Sequence, residues 1–218
     1  MTISIPNEVL GLKYELILAS GSPRRRMLME RFGIEFTVFP ADIDETPHIG
    51  ELADSYVERL AIEKALVVQR RISANRQNLL QRGALELAVL AADTTVAIDG
   101  LILGKPEDTD DAIRTLTMLS GRTHQVHTGI AVATASGCQH RVVTSNVTMQ
   151  SLDPALVAWY VSTGEPFDKA GSYAIQERAA AFVSNVEGSM DNVVGLPMIE
   201  TIALLHLAGL GVSYRSGQ

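Results

Sequence analysis

A single cysteine, Cys138, is all the thiol chemistry available in 218 residues, so no intramolecular disulfide framework holds this chain. With five scattered histidines beside it, no ligand pattern for a structural zinc site is present. No stretch approaches the roughly twenty consecutive apolar residues of a membrane helix, and the first residues carry Glu8 without an apolar core of signal-peptide length. Positive charge is also scarce: 18 basic against 25 acidic side chains leave a net charge of -7, which opposes non-specific binding to DNA, RNA or anionic membranes. Internal repeats and low-complexity segments are missing too. These absences predict a cytoplasmic globular protein with neither a nucleic-acid nor a membrane partner. The 46% of hydrophobic residues suffices for one substantial core or two small lobes sharing a cleft.

Against that acidic background one basic stretch stands out, Leu16-Ile17-Leu18-Ala19-Ser20-Gly21-Ser22-Pro23-Arg24-Arg25-Arg26. An apolar strand stops at two serines and a glycine, and Pro23 sits where a helix begins. Gly21 lets a ligand approach the main chain, Ser22 is a good N-cap and Pro23 suits the first helical position. Free amides and the positive end of the helix dipole then converge on one spot suited to an anion. Arginines in a first turn oppose that dipole, so their clustering points to a bound polyanion; a merely basic surface helix is the plain alternative.

The rest of the chain alternates strands and helices. Residues 1–13 read as an irregular lead-in, 14–212 as one domain and 213–218 as a tail. Tyr14 to Ala19 is the first strand, and the helix from Pro23 to about Arg31 turns Met27, Leu28 and Met29 inward. Phe36 to Phe39 is a second strand, followed by an acidic loop around Glu45 and a helix from about Leu52 to Arg71. The polar segment Ser73 to Gly83 is a helix extension or a loop. Leu87 to Ala92 reads as a buried strand that ends abruptly at Asp93-Thr94-Thr95 before Val96-Ala97-Ile98 resumes, and a carboxylate there requires a partner or a metal. Asp99-Gly100 is a hairpin turn ahead of Gly104-Lys105-Pro106. Asp108 caps a helix to Leu119, His124 to Ala135 and His140 to Gln150 form a long hairpin, and a helix covers Ala155 to Ser162. Ala179 to Val186 reads as a strand, Gly188 to Asn192 as a polar turn, and Pro197 starts the last helix. The fold class is therefore α/β: a mixed central sheet flanked by helices, with two lobes and a central cleft.

The polar groups that interrupt this apolar pattern form a consistent set: Ser20, Arg24, Arg25, Glu45, Lys64, Asp93, Thr94, Lys105, Lys169 and Gln176. Cations in that number suit a triphosphate, and carboxylates suit a divalent metal. Taken singly, each has a plainer reading. Lys64 and Lys169 are surface lysines, Thr94 a β-branched strand residue, Gln176 a loop amide and Glu45 a solvated acid.

Five strings taken together carry more. Ala19-Ser20-Gly21-Ser22-Pro23-Arg24-Arg25, Ala92-Asp93-Thr94-Thr95-Val96, Gly104-Lys105-Pro106, Asp168-Lys169-Ala170-Gly171-Ser172-Tyr173-Ala174-Ile175-Gln176 and Asn192-Val193-Val194-Gly195-Leu196-Pro197 resemble, in this order, the Maf family of nucleoside triphosphate pyrophosphatases. The resemblance implies an inosine-triphosphatase-like fold and a cytoplasmic homodimer that cleaves a nucleoside triphosphate to the monophosphate and pyrophosphate. The strings around Asp93 and Gln176 look like the branch acting on dTTP and UTP. By this resemblance Asp93 is the proton acceptor, and Arg24, Thr94 and Gln176 set the preferred base. Ser20, Arg24, Arg25, Lys64, Lys105 and Lys169 would hold the phosphates, and Asp93 with Glu45 a divalent cation, Mg2+ or Mn2+. Ala174 and Glu177 stand where the family string has glycines, which removes conformational freedom and adds a carboxylate near the Gln176 amide. The alternatives are a methylated-GTP pyrophosphatase and a non-catalytic nucleotide sensor acting in cell division.

Overall fold

The computed structural model describes the backbone of residues 3–4, 8–9, 12–80, 86–210 and 213–214, and side chains over 14–74 and 86–210. In chain order the strands and helices are β1 (Ile3–Ser4), β2 (Glu8–Val9), β3 (Leu12–Leu18), α1 (Pro23–Arg31), β4 (Thr37–Val38), α2 (Ala53–Leu80), β5 (Glu86–Ile98), β6 (Leu101–Leu103), α3 (Thr109–Leu119), β7 (Thr123–Thr134), β8 (Gly137–Met149), α4 (Pro154–Ser162), β9 (Val183–Glu187), α5 (Met190–Val194), α6 (Met198–Leu207) and β10 (Ser213–Tyr214). One mixed sheet runs β2-β3-β5-β7-β8-β9, with β4 joined to β3 and β6 to β5. The segments read as lead-in and tail carry strands of their own: β1 pairs with β10, and β2 folds back on β3.

The central strand β5 differs from its sequence reading in one respect that matters for the site. It is not interrupted at Asp93-Thr94-Thr95 but runs unbroken from Glu86 to Ile98, 13 residues in all. The reason lies in its partner: β7 pairs with it antiparallel from Val89 to Ala97, through Asp93↔Gly129 and Thr94↔Thr128. What ends is the pairing on the opposite edge. There β3 runs parallel to β5 only as far as Leu18↔Leu90, and β6 resumes antiparallel at Val96↔Leu103. Asp93 thus lies in a gap along one edge of a continuous strand. Asp99 and Gly100, at φ 51 and 79, make the tight β5–β6 turn that the Asp-Gly pair predicted.

Three apolar clusters meet at this strand. Ala88, Leu90 and Ala92 pack with Leu28, Met29 and α6 on one face, and Val89 and Ala91 with Ala61, Ala65 and Val68 of α2 on the other. Beyond Thr95, Val96 and Ile98 join a third cluster with α3, α4 and Phe182. The two lobes are thus strung on β5, and Asp93 falls between them.

Several boundaries moved for local reasons. The polar stretch after Ser73 contains no Pro or Gly before Gly83, and the helical ladder of α2 runs on to Leu80. Met27 is exposed, while Leu28 and Met29 are buried, because a nine-residue helix lying on the core turns only one stripe inward. Arg178–Phe182 is a 3-10 turn before β9, and Ser189 caps the short helix α5 where a turn was expected.

At Gly129 the contact of α2 with the sheet is backbone on backbone. A Cβ added at Gly129 would lie 2.2 Å from the Val57 carbonyl oxygen, so glycine there sets how closely the helix rides over β7. Lys64 is two helical turns further on, over Asp93, the residue paired with Gly129. Gly129→Ala therefore lifts α2 and is expected to destabilise the fold by about 3 kcal/mol, the upper end for overpacking, measured by thermal or urea unfolding.

His124 at the start of β7 is 1% exposed, and its Nε2 lies 2.8 Å from the Tyr173 hydroxyl. Burial pulls its pKa down to about 4. Because the folded value lies below the unfolded one, neutral His124 contributes stability above about pH 6.5 that is lost as pH falls toward 4. Unfolding free energy measured across that window should drop for the native chain, and the drop should be shallower in His124→Gln.

Candidate active site

A cavity of about 550 Å³ opens at the gap in β5, and every residue singled out from the sequence lines it: Ser20, Arg24, Arg25, Glu45, Lys64, Asp93, Thr94, Lys105, Lys169 and Gln176. Its size is typical of a small-ligand pocket. The N-terminal turn of α1 forms one wall, with Gly21, Ser22 and Pro23 also on the lining. Ser22 caps that helix by accepting from the Arg25 N–H at 3.5 Å, and no acidic residue sits in the first turn to neutralise the dipole.

The three arginines of this turn are put to different uses. Arg24 reaches Asp168 across the cavity at 3.8 Å. Arg26 is exposed and does not line the pocket. Arg25, read from sequence as a phosphate ligand, is bound into the protein. Its Nε donates to the Gly195 carbonyl at 2.8 Å, Nη1 to the Ala92 carbonyl at 2.8 Å and Ser20 Oγ at 3.2 Å, and Nη2 to Thr94 Oγ1 at 3.0 Å. This guanidinium closes the unpaired edge of β5 and ties it to α1 and α5. Desolvation draws its pKa down, against the opposing pull of Asp93.

The Asp93 carboxylate, 7% exposed, accepts from Lys64 Nζ at 2.6 Å, and the same ammonium meets Glu45 Oε1 at 2.7 Å. Burial pushes the Asp93 carboxyl above the usual carboxylate value, while Lys64 and Arg25 hold it back. Lys64, also read as a phosphate ligand, is therefore the counter-ion of both carboxylates. Tyr56, which the sequence reading passed over, lines the same wall and donates to the Glu45 carbonyl at 2.9 Å. Burial first and the Asp93 charge second push its hydroxyl up to about 12, which keeps it a neutral donor.

Asp93 Oδ1 and Glu45 Oε1 converge on the Lys64 ammonium, so a metal ion there would have to take the carboxylates from Lys64 or use their second oxygens. Among the described residues no group of three or more His, Cys, Asp or Glu is gathered as a metal site. Two carboxylates fit an ion that takes the rest of its shell from phosphate oxygens and water, as Mg2+ does.

The opposite wall is the loop 165–178. Lys169 is 6% exposed and its ammonium contacts the Asp168 carboxylate, the Glu165 carbonyl at 3.2 Å and Glu177 Oε1 at 3.7 Å. Although partial burial works against ionisation, Lys169 and then Arg24 hold the Asp168 carboxyl below its usual value. Lys105 is exposed and has no ion-pair partner among the described residues, and Gln176 is exposed without a protein hydrogen bond among them. Both are open to a ligand. The Thr94 hydroxyl is not: besides Arg25 it faces Thr128 Oγ1 at 3.0 Å and the Gly195 carbonyl at 3.4 Å. Ala174 and Glu177 both keep negative φ, so the replaced glycines carry no strain; the left-handed residues of this loop are Gly171 and Ser172.

Asn192 explains the last of the five strings. Fully buried, it donates from Nδ2 to the Val126 carbonyl and to Ser145 Oγ, each at 3.0 Å, and its own carbonyl accepts from Thr128 Oγ1. This anchors α5 to β7 and β8 and so aims the Gly195 carbonyl at Arg25. Only the motif's position in the string, not its chemistry, signalled it. Arg25→Lys cannot reproduce the fork and leaves Ala92, Thr94 and Gly195 without their donor; the expected loss is about 2–3 kcal/mol in equilibrium unfolding.

The profile of the Maf-like protein family matches residues 15–208. The chain is similar to a dTTP/UTP pyrophosphatase of Myxococcus xanthus (strain DK1622), 52% identical over 201 residues that cover 92% of this chain and 96% of the relative. A dTTP/UTP pyrophosphatase of Methylobacillus flagellatus is 45% identical over 197 residues, 90% of this chain and 94% of its own. One from Anaeromyxobacter sp. (strain Fw109-5) is 46% identical over 203 residues, 91% of each. The matched span runs from β3, ahead of the α1 cradle, to the end of α6, taking in every wall of the cavity, and the chain belongs to the Maf-like protein family.

Proposed function

We infer that this cavity hydrolyses dTTP and UTP to the nucleoside monophosphate and pyrophosphate. One observation carries the reading: a buried carboxylate, Asp93, lies in a single cavity with the cations Arg24, Lys64, Lys105 and Lys169, beside a helix N-terminus that carries no acid of its own. Relatives similar over nearly the whole chain are dTTP/UTP pyrophosphatases, which supports the choice of nucleotide.

In the reaction, a water oxygen forms a bond to the α-phosphorus while the bond from that phosphorus to the bridging oxygen breaks, and the electron pair leaves with pyrophosphate. Asp93 orients the water and takes its proton, for which its raised basicity is suited. Lys105 and the first turn of α1 bind the triphosphate, and Lys169 and Arg24 join them when the nucleotide displaces Asp168 from their charges. Lys64 keeps Asp93 ionised and fixes which of its oxygens is free. Asp93 and Glu45 are the residues that would hold a divalent cation, Mg2+ or Mn2+, which would supply charge neutralisation and a more acidic water. Gln176 reads the edge of the uracil or thymine, and Thr94 acts on the base through Arg25 and the Gly195 turn that it holds. A cytoplasmic setting and homodimeric assembly, which the resemblance implies, belong to the same proposal.

Pyrophosphate release from a panel of dTTP, UTP, CTP, GTP and methylated GTP tests the reading. Turnover of dTTP and UTP well above the others, lost with chelator, is expected. Turnover mainly of methylated GTP moves the substrate, and tight binding with none favours the sensor. Asp93→Asn keeps an oxygen for Lys64 and has no charge to desolvate. It should lose about 10²–10⁴-fold in kcat while its melting temperature holds or rises and nucleotide binding persists.

A further inference from the structure

The loop that carries Lys169 and Gln176 has only short 3-10 turns of its own, at Glu165–Asp168, Ala170–Ser172 and Arg178–Phe182. It also contains strain. Gly171 and Ser172 follow one another at φ 72 and 62, and the Ser172 hydroxyl is wholly buried without a hydrogen-bond partner. A segment in such a conformation persists only when its surroundings impose it.

Gly171 is held by its N–H to the Gly104 carbonyl at 3.0 Å and by Val96 packed against it, and on either side of it the loop is tied to a buried pair that does not line the cavity. The Glu165 side chain is 3% exposed. One of its carboxylate oxygens accepts from the Tyr160 hydroxyl at 2.9 Å, and the other meets Arg178 Nη1 at 3.0 Å. Its backbone carbonyl accepts from Lys169 Nζ at 3.2 Å. The Tyr160 oxygen in turn accepts from the Ala174 N–H at 3.3 Å. Three points along the loop, at Lys169, Ala174 and Arg178, are thereby referred to one residue.

We propose that Glu165 and Tyr160 are positioning residues for nucleotide selection: their linkage sets the backbone of Ala174 to Gln176 relative to Lys169, so that the Gln176 amide meets the base while the ammonium meets the phosphates. The proposal rests on the pyrophosphatase reading above. Gln176 has no protein hydrogen bond to hold its side chain among the described residues, so its reach is decided by the backbone two residues earlier. A tyrosine hydroxyl shared between an amide and a carboxylate is a rigid spacer, and the carboxylate's second oxygen is held by Arg178 against rotation.

Tyr160→Phe tests this with little risk to folding, because the ring keeps its edge-on contact with Phe182 at 5.0 Å. The expected result is a KM for dTTP and UTP raised about tenfold with kcat within about threefold, a narrowed preference over CTP, and faster hydrogen exchange at the Ala174 amide. Glu165→Gln, which retains an acceptor for the hydroxyl, should fall between the native chain and Glu165→Ala. A Tyr160→Phe variant that melts lower but keeps its KM and its preference would overturn the proposal. So would unchanged exchange at Ala174. If the native chain turns over no nucleotide, the pyrophosphatase reading fails instead, and the Ala174 exchange still decides whether the Tyr160 hydroxyl holds that amide.

Discussion

Burying the Asp93 carboxylate in the middle of a sheet is unfavourable unless charge and hydrogen bonds compensate it, and much of the molecule can be understood as that compensation. The Lys64 ammonium, itself 6% exposed, supplies the opposite charge at 2.6 Å. To reach it, α2 must lie close on β7, which the missing side chain at Gly129 permits. Pairing β3 and β6 to the same edge of β5 with a gap between them leaves the carboxylate open on one side. The site is therefore a consequence of an interrupted edge, while the continuous β7 partner keeps the strand rigid beneath it.

Arg25 fills the gap from the other direction. Its donors reach Ala92, Thr94 and Gly195, positions 67, 69 and 170 residues away in sequence, and so join segments that border the cavity beside α1. Guanidinium suits this task because its fork is planar and always charged, so one side chain satisfies two carbonyls and two hydroxyls at fixed angles. Asn192, one layer deeper, does the same for α5 with an amide. Residues that resemble ligand contacts by chemical type thus divide into those that hold the frame and those left open. Lys105 and Gln176 belong to the second group, and Lys64, Arg25 and Thr94 to the first.

Opposed charges are balanced in pairs before any ligand arrives. Lys64 is shared by Asp93 and Glu45, and Lys169 by Asp168 and Glu177, with Arg24 reaching Asp168 as well. Apart from Lys105, the cations that a polyanion would meet in such a cavity already hold carboxylates that it must displace. That arrangement keeps an acidic chain stable around a basic centre and favours ligands with enough charge to displace the resident acids.

The sequence by itself determined the α/β class, the order of the strings, the caps at Ser22 and Asp108, the Asp-Gly hairpin turn and the set of ten residues that line one cavity. These are legible because caps, turns and period are local, and because polar residues within apolar strands stand out against their neighbours. It read Asp93-Thr94-Thr95 as a break between two apolar segments, since the pairing that joins them into one strand comes from β7, more than thirty residues later. It could not separate Arg25 from Arg24, give Asn192 its role or single out Gly129, whose neighbours in space are distant in the chain, and it did not single out Tyr160 or Glu165. Only the tertiary structure decided which donor meets which acceptor, because that choice is made by long-range packing, on which a local pattern of side chains carries no information.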